Sequence, residues 1–248
     1  AIGGIVAGWH ITAPFWVAAV LAAVNVAFGF LVLPESLKPE NRRPFGRRDL
    51  NPFGSIARAF LVPGLAIPLI CLFIFEFANM VYPTLWSFWG REVFGWDAFV
   101  IGITLAVYGV LIAAVQAGIL PQLTKRLGDY RTLVLAIAAG ILGMVGFGLA
   151  NTILAVAIFL PLAALSDMAP PLMTAFAANR VGEDQQGLVQ GVIASLNSIA
   201  AVVAPLALTG VFETFVDEQG PYLPGAPYLV AALLILAIAP LVPRMRAR

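Results

Sequence analysis

Charge is what this sequence lacks most. Only 11% of its 248 residues are charged, while 61% are hydrophobic. A soluble domain carries roughly 25% charged residues because it must cover its surface with them. A water-soluble fold is therefore excluded, and lipid is the solvent that suits this chain. Cysteine occurs once, as Cys71 inside an apolar run, which excludes disulfides and cysteine-based metal sites within the chain. Histidine also occurs once, as His10 near a span end, so zinc and Ser-His sites have no material. The glycine-rich stretches lie inside apolar runs, so none reads as a phosphate cradle. No aromatic-interleaved basic module points to nucleic acid. The reading is therefore no enzyme, no catalytic residue, no metal and no cofactor, with any driving force coming from an ion gradient. The sequence starts at Ala1 with no charged region before its first apolar run. We expect no signal peptide and a chain that begins partway through a longer protein.

Long apolar runs are what the sequence has instead. Stretches of about 20 apolar residues cross a bilayer as helices. They fall at 14–33, 64–88, 98–120, 132–150, 153–177, 189–212 and 227–243, with Ala1 to Gly8 as the tail of an earlier one. An all-α membrane protein of seven spans and a stub follows. Thirteen of the fourteen basic residues fall on alternate loops and at the C-terminus, and only Arg91 lies on the opposite side. By the positive-inside rule the basic side is cytoplasmic, so the C-terminus is expected inside a multi-pass protein of the inner membrane. The loop 34–63 is proline-rich and basic. It reads as a solvated linker whose charges attract anionic lipid, and it is compatible with a hinge between two halves of a transporter.

Two acids stand out. Glu76 lies twelve residues from either end of its span, and Asp167 lies fourteen residues into its own. An ionisable group at that depth costs about 2.5–3.5 kcal/mol on insertion scales, so it marks a cavity, a partner or a proton path. Asn79 shares a helix face with Glu76 at i+3, and Pro83 follows four residues later. Pro170 and Pro171 have no N–H to give the carbonyls of Ser166 and Asp167, which predicts a broken helix beside the Asp167 carboxylate. Glu76 ranks first and Asp167 second as proton-coupling residues. Asn79, Tyr82, Tyr108, Gln116 and Asn197 are candidates for a substrate cavity. Gly187, Gly191 and Ser195, and likewise Gly140, Gly143 and Gly146, read as small-residue packing faces. Trp86, Trp89 and Trp96 read as an aromatic belt at one membrane boundary.

Several segments carry a family resemblance. They are Thr12-Ala13-Pro14-Phe15 opening a span, Leu33-Pro34-Glu35-Ser36 closing it, and Leu50-Asn51-Pro52-Phe53 in the loop. Further along come Leu85-Trp86, Phe94-Gly95-Trp96, Ile101-Gly102 with Leu105-Ala106, and Gln185-Gln186-Gly187 with Gln190-Gly191. Over essentially its whole length the chain resembles the major facilitator superfamily, in its tetracycline-efflux-type branch of drug:proton antiporters. The resemblance implies the C-terminal half of a twelve-helix transporter. Residues 1–33 would then be the end of helix five and helix six, 34–63 the central cytoplasmic linker, and 64–248 a bundle of helices seven to twelve. Helices seven and ten line the cavity in that fold, and they correspond to the spans of Glu76 and Asp167. Arg126, Gly128 and Arg131 match the family's cytoplasmic gating motif, with Lys125 where an acid is expected. The exporters' membrane histidine and aspartate align with Ile112 and Gly140, neither of which carries a proton. The expected function is proton-coupled efflux of small amphipathic compounds, in partnership with lipid, substrate and the N-terminal half. The alternatives are a facilitator or uptake carrier without proton coupling, and a non-transporting membrane interaction protein.

Overall fold

A computed structural model describes residues 12–32, 52–217 and 221–246. The stub at Ala1 to Gly8, His10, and most of the loop 34–63 lie outside the described residues. The chain divides into two compact units, Ala1–Gly46 and Arg47–Arg248. The first contains α1 (Ala13–Val32), an uninterrupted apolar helix.

The second unit opens with α2 (Pro52–Leu61). This helix departs from the expectation of a solvated linker. Proline is compatible with its first position, and Ile56, Ala59 and Phe60 recur at helical spacing. Ala59 is fully buried, and α2 packs on the long helix α10 described below. An amphipathic helix of 10 residues inside a basic, proline-rich stretch is too short to stand out as a span.

Six spans follow. The first is α3 (Ala66–Asn79) and α4 (Val81–Phe94), joined at Met80. The second is α5 (Ala98–Ala114), a π-helical segment Val115–Ile119, and α6 (Leu120–Leu127). The third is α7 (Asp129–Leu149), unbroken. The fourth is α8 (Ile153–Ser166) and α9 (Ala169–Ala178). The fifth is α10 (Gln186–Val216), and the sixth α11 (Ala226–Ile238), continued by a 3₁₀ segment Ala239–Met245. With α1, seven helical stretches among the described residues are long and apolar enough to cross a membrane, and all seven coincide with the spans expected from hydropathy. Most run a few residues past the apolar stretch, because helical hydrogen bonding continues into the polar ends.

The interruptions have backbone causes. Pro83 offers no N–H to the Asn79 carbonyl, and the helix turns at Met80. Pro121 offers none to the Ala117 carbonyl, and just before it the Leu120 amide reaches five residues back to the Val115 carbonyl. Pro170 and Pro171 leave the Ser166 and Asp167 carbonyls unmatched, and the chain tightens there, with Asp167 N–H on Ala164 O and Met168 N–H on Leu165 O, both at 3.2 Å.

Packing is closest along α7. A Cβ at Gly140 would stand 2.6 Å from Ser166 Oγ, one at Gly143 3.3 Å from the Ala163 backbone nitrogen, and one at Gly146 would collide with the Phe159 ring. This is the expected small-residue face, and in lipid such close approach is what holds helices together. The other expected face is different. A Cβ at Gly187 or Gly191 would meet nothing within 4 Å, and Ser195 bonds only the Gly191 carbonyl of its own helix. That stripe is not packed by the described residues.

The tryptophans correct another expectation. Trp86, Trp89 and Trp96 do not form an outward belt. All three are buried, and their rings lie 5.4–5.9 Å from Phe147 or 5.6–6.2 Å from one another. Gly95 adopts a left-handed conformation (φ 66°) that folds Trp96 back over Gly90. Trp86 and Trp89, three apart, then share one inward face with it.

Sidedness is consistent across the unit. Arg180, at the end of α9, donates to Phe176 O and to Met245 O, both at 2.9 Å, and Arg246 stacks 5.2 Å over the Tyr130 ring. At the opposite end Tyr222 donates to Glu92 at 2.8 Å. The basic ends thus meet on one side.

Candidate polar site and cavity at the broken helices

The two proline-broken spans pack on each other through α3 and α9. Asn79 is the last residue of α3, and Asp167 follows the last residue of α8. Each side chain therefore leaves its helix where the backbone ladder is already interrupted. Asp167 Oδ1 accepts from Asn79 Nδ2 at 3.1 Å, and Oδ2 accepts from the Tyr108 hydroxyl of α5 at 2.7 Å. A single carboxylate thus links three spans. A donor to an ionised acceptor is among the stronger hydrogen bonds, about 1.5–3 kcal/mol each.

Glu76 lies one turn before Asn79 and is half-buried. It is near enough to Asp167 for the two charges to repel, and its carboxyl has no hydrogen-bond partner among the described residues. The two acids are thus brought to one region, while the cross-helix bonds belong to Asp167.

Beside the acid lies a cavity of ≈ 130 Å³, lined by Tyr82, Pro83, Trp86, Leu105, Tyr108 and Leu160. Its walls are almost wholly apolar, because the Trp86 indole N–H is turned to Thr104 Oγ1 at 2.9 Å and the Tyr108 hydroxyl to Asp167. Pro83 and Leu105 are exposed, so the cavity opens at the surface of the unit. The Tyr82 and Tyr108 rings lie 6.0 Å apart. Tyr82 Oη, Asn79 Oδ1 and Ser166 Oγ are buried without a hydrogen-bond partner among the described residues. A mostly apolar pocket edged by a few convergent polar groups is what small-molecule sites look like.

Four of the expected site residues, Asn79, Tyr82, Tyr108 and Asp167, therefore meet in one constellation, with Glu76 a turn away. Gln116 does not join it. It sits exposed on the π-helical segment. Asn197 is half-buried on α10 with its Oδ1 unpartnered among the described residues, and it does not line the cavity. Arg126 and Arg131 are exposed on either side of the turn at Gly128. The positions set against the exporters' histidine and aspartate flank the same site. Ile112 is one turn beyond Tyr108, and Gly140 faces Ser166, the neighbour of Asp167. Any side chain at position 140 would have to displace Ser166.

Trp86, Pro83, Leu105 and Leu160 were not among the expected cavity residues. The first was read as a belt residue, and the apolar three carry no chemical signature in a chain this apolar.

Comparisons with known proteins agree with this architecture. The family profile described as Major Facilitator Superfamily matches residues 1–205. The class C tetracycline resistance protein of Escherichia coli is 32% identical over 96% of this chain and 59% of its own length. The class G tetracycline resistance protein of Vibrio anguillarum is 28% identical over 98% of this chain and 61% of its own. The chain thus spans about three-fifths of the length of these curated relatives. Among solved structures, the human organic anion transporter MFSD10 (TETRAN) superposes with a TM-score of 0.75 at 21% identity, covering 93% of this chain and 57% of that one. That likeness concerns the fold.

Proposed function

The chain belongs to the Major Facilitator Superfamily, and from that premise we propose that it is the C-terminal portion of a proton-coupled exporter of small amphipathic compounds. The observation that carries the proposal is the placement of Asp167. It sits at a helix break, is held by donors from two other spans, and lies beside an apolar cavity. The two curated relatives named above are tetracycline resistance proteins, which supports export over uptake.

The residues suggest the following cycle. Ionised Asp167 accepts from both Asn79 and Tyr108 and ties α3, α5 and the α8–α9 joint together. A proton arriving from outside converts one oxygen into a donor. The hydroxyl or amide facing that oxygen has to turn or leave, and the three spans are no longer tied in the same way. Release of the proton to the cytoplasm restores the tie. Glu76, lacking a bonded partner among the described residues, is a secondary acid that modulates Asp167 through its charge. Aromatic walls take the apolar part of the substrate. On this reading residues 1–33 contribute the end of helix five and helix six of the N-terminal half, 34–63 the cytoplasmic linker, and 64–248 the second bundle. Its partners are lipid, the substrate and the N-terminal half, and Arg126, Gly128 and Arg131 form a gating turn on the cytoplasmic face of the inner membrane.

The test is pH-gradient-driven efflux of tetracycline and of ethidium by the full-length protein in proteoliposomes. Asp167→Asn keeps an acceptor and removes the titration, so it is expected to abolish gradient-driven efflux, while Glu76→Gln reduces it. Undiminished efflux by Asp167→Asn would remove the coupling role from this site.

A further inference from the structure

We propose that Tyr108 transmits the protonation state of Asp167 to the cavity: the carboxylate holds the phenol in place as one wall, and protonation lets that wall go. The inference rests on the reading of Asp167 as the proton-handling group.

Tyr108 is the residue in which the two features meet. Its hydroxyl bonds Asp167 Oδ2 at 2.7 Å, and its ring lines the cavity. Asn79 bonds the same carboxylate and does not line the cavity, whereas Tyr82 and Trp86 line the cavity and do not bond the carboxylate. The opposite wall is fixed independently. Trp86 is 4% exposed, packs against Trp89, Trp96 and Phe147, and spends its N–H on Thr104. Tyr108 is held less firmly, as a partly buried residue at the margin of the core. It is half-buried, and its neighbours Leu105, Val107, Gly109 and Val110 on α5 are all exposed. Beyond that packing, the phenol is placed by its one bond to Asp167, with the tilted Tyr82 ring 6.0 Å away.

The sign suits an antiporter. Ionised Asp167 accepts the Tyr108 hydroxyl, the wall stands and a ligand is held. Protonation of Oδ2 replaces the charge-assisted bond with a weaker neutral one, the phenol swings and the ligand leaves, so proton and ligand exclude one another. The titratable groups that face Asp167 are Glu76 on α3, Tyr82 on α4 and Tyr108 on α5, with Tyr228 of α11 behind Tyr82. The other helices packed on this span, α7 and α10, carry charge only near their ends, at Asp129, Arg131 and Glu213.

Fluorobenzene is a suitable probe, since an apolar cavity of about 150 Å³ accepts one benzene ring. Its binding to the full-length protein in nanodiscs is followed by fluorine NMR across pH. The wild type is expected to bind about tenfold more weakly once Asp167 is protonated, the effect of losing one charge-assisted hydrogen bond. Tyr108→Phe keeps the ring and loses the bond, so its binding should be weak and flat with pH. Asn79→Ala leaves the Tyr108 bond and should keep the wild-type slope, and Asp167→Asn, still an acceptor, should bind tightly at every pH. A wild-type slope in Tyr108→Phe overturns the proposal, as does a wild-type protein that binds no probe at any pH. Failure of the exporter reading looks different: Asp167→Asn would then flatten probe binding while pH-driven efflux persisted.

Discussion

Span α7 runs unbroken for 21 residues, and three glycines on one face bring α8 against it at near-backbone distance. The spans α3–α4 and α8–α9 are each interrupted at proline close to mid-length, and it is there that Asn79 and Asp167 emerge. One construction has no polar side chain at mid-membrane and nothing to move. The other places its polar side chains where backbone hydrogen bonding is already lost, so a change at the side chain does not have to break a helix first. Scaffold and site are separated by how the backbone is treated, within one helical bundle.

Two substitutions press on that contrast from opposite sides. Gly146→Val drives a branched side chain into the Phe159 ring, and overpacking of this kind costs about 1–3 kcal/mol. Thermal unfolding in detergent should show that loss, with the pH dependence of transport in the surviving protein unchanged. A Gly146→Val protein of wild-type stability would mean that the α7–α8 contact is not close. Pro171→Ala returns an N–H to the Asp167 carbonyl and removes a helix breaker. Its stability should stay within about 1 kcal/mol of wild type, while gradient-driven efflux falls, because a hydrogen bond restored at the Asp167 carbonyl re-aims the carboxylate even with Pro170 in place. Wild-type transport in Pro171→Ala would show that the break at this position is incidental.

Much of this arrangement was legible in the sequence, for identifiable reasons. Hydropathy located all seven spans of the described residues because lipid tolerates few polar residues along a helix, and the proline pair Pro170-Pro171 announced the break at Asp167. The bonds of Asp167 were not legible. Asn79 is 88 residues away and Tyr108 59, and nothing local distinguishes a tyrosine that reaches an acid from one that faces lipid. Along the sequence Asn79 shares a helix face with Glu76. In the folded unit that same asparagine reaches across to Asp167 instead. The tryptophans were misread although α4 has a periodicity that marks its inward side: Tyr82, Leu85, Trp86 and Trp89 are buried on one face, while Thr84, Ser87 and Arg91 lie away from it. Helix α2 was hidden by its surroundings, since prolines and arginines dominate a window that contains only ten helical residues.

The central claim is that Asp167 gains and loses a proton in the course of transport. Infrared spectroscopy of the carboxyl C=O stretch, on the full-length protein in lipid, tests it without knowledge of the substrate. The account predicts a protonated-carboxyl band that titrates across the pH range of transport, vanishes in Asp167→Asn and survives in Glu76→Gln. A titrating band that persists unchanged in Asp167→Asn would contradict it.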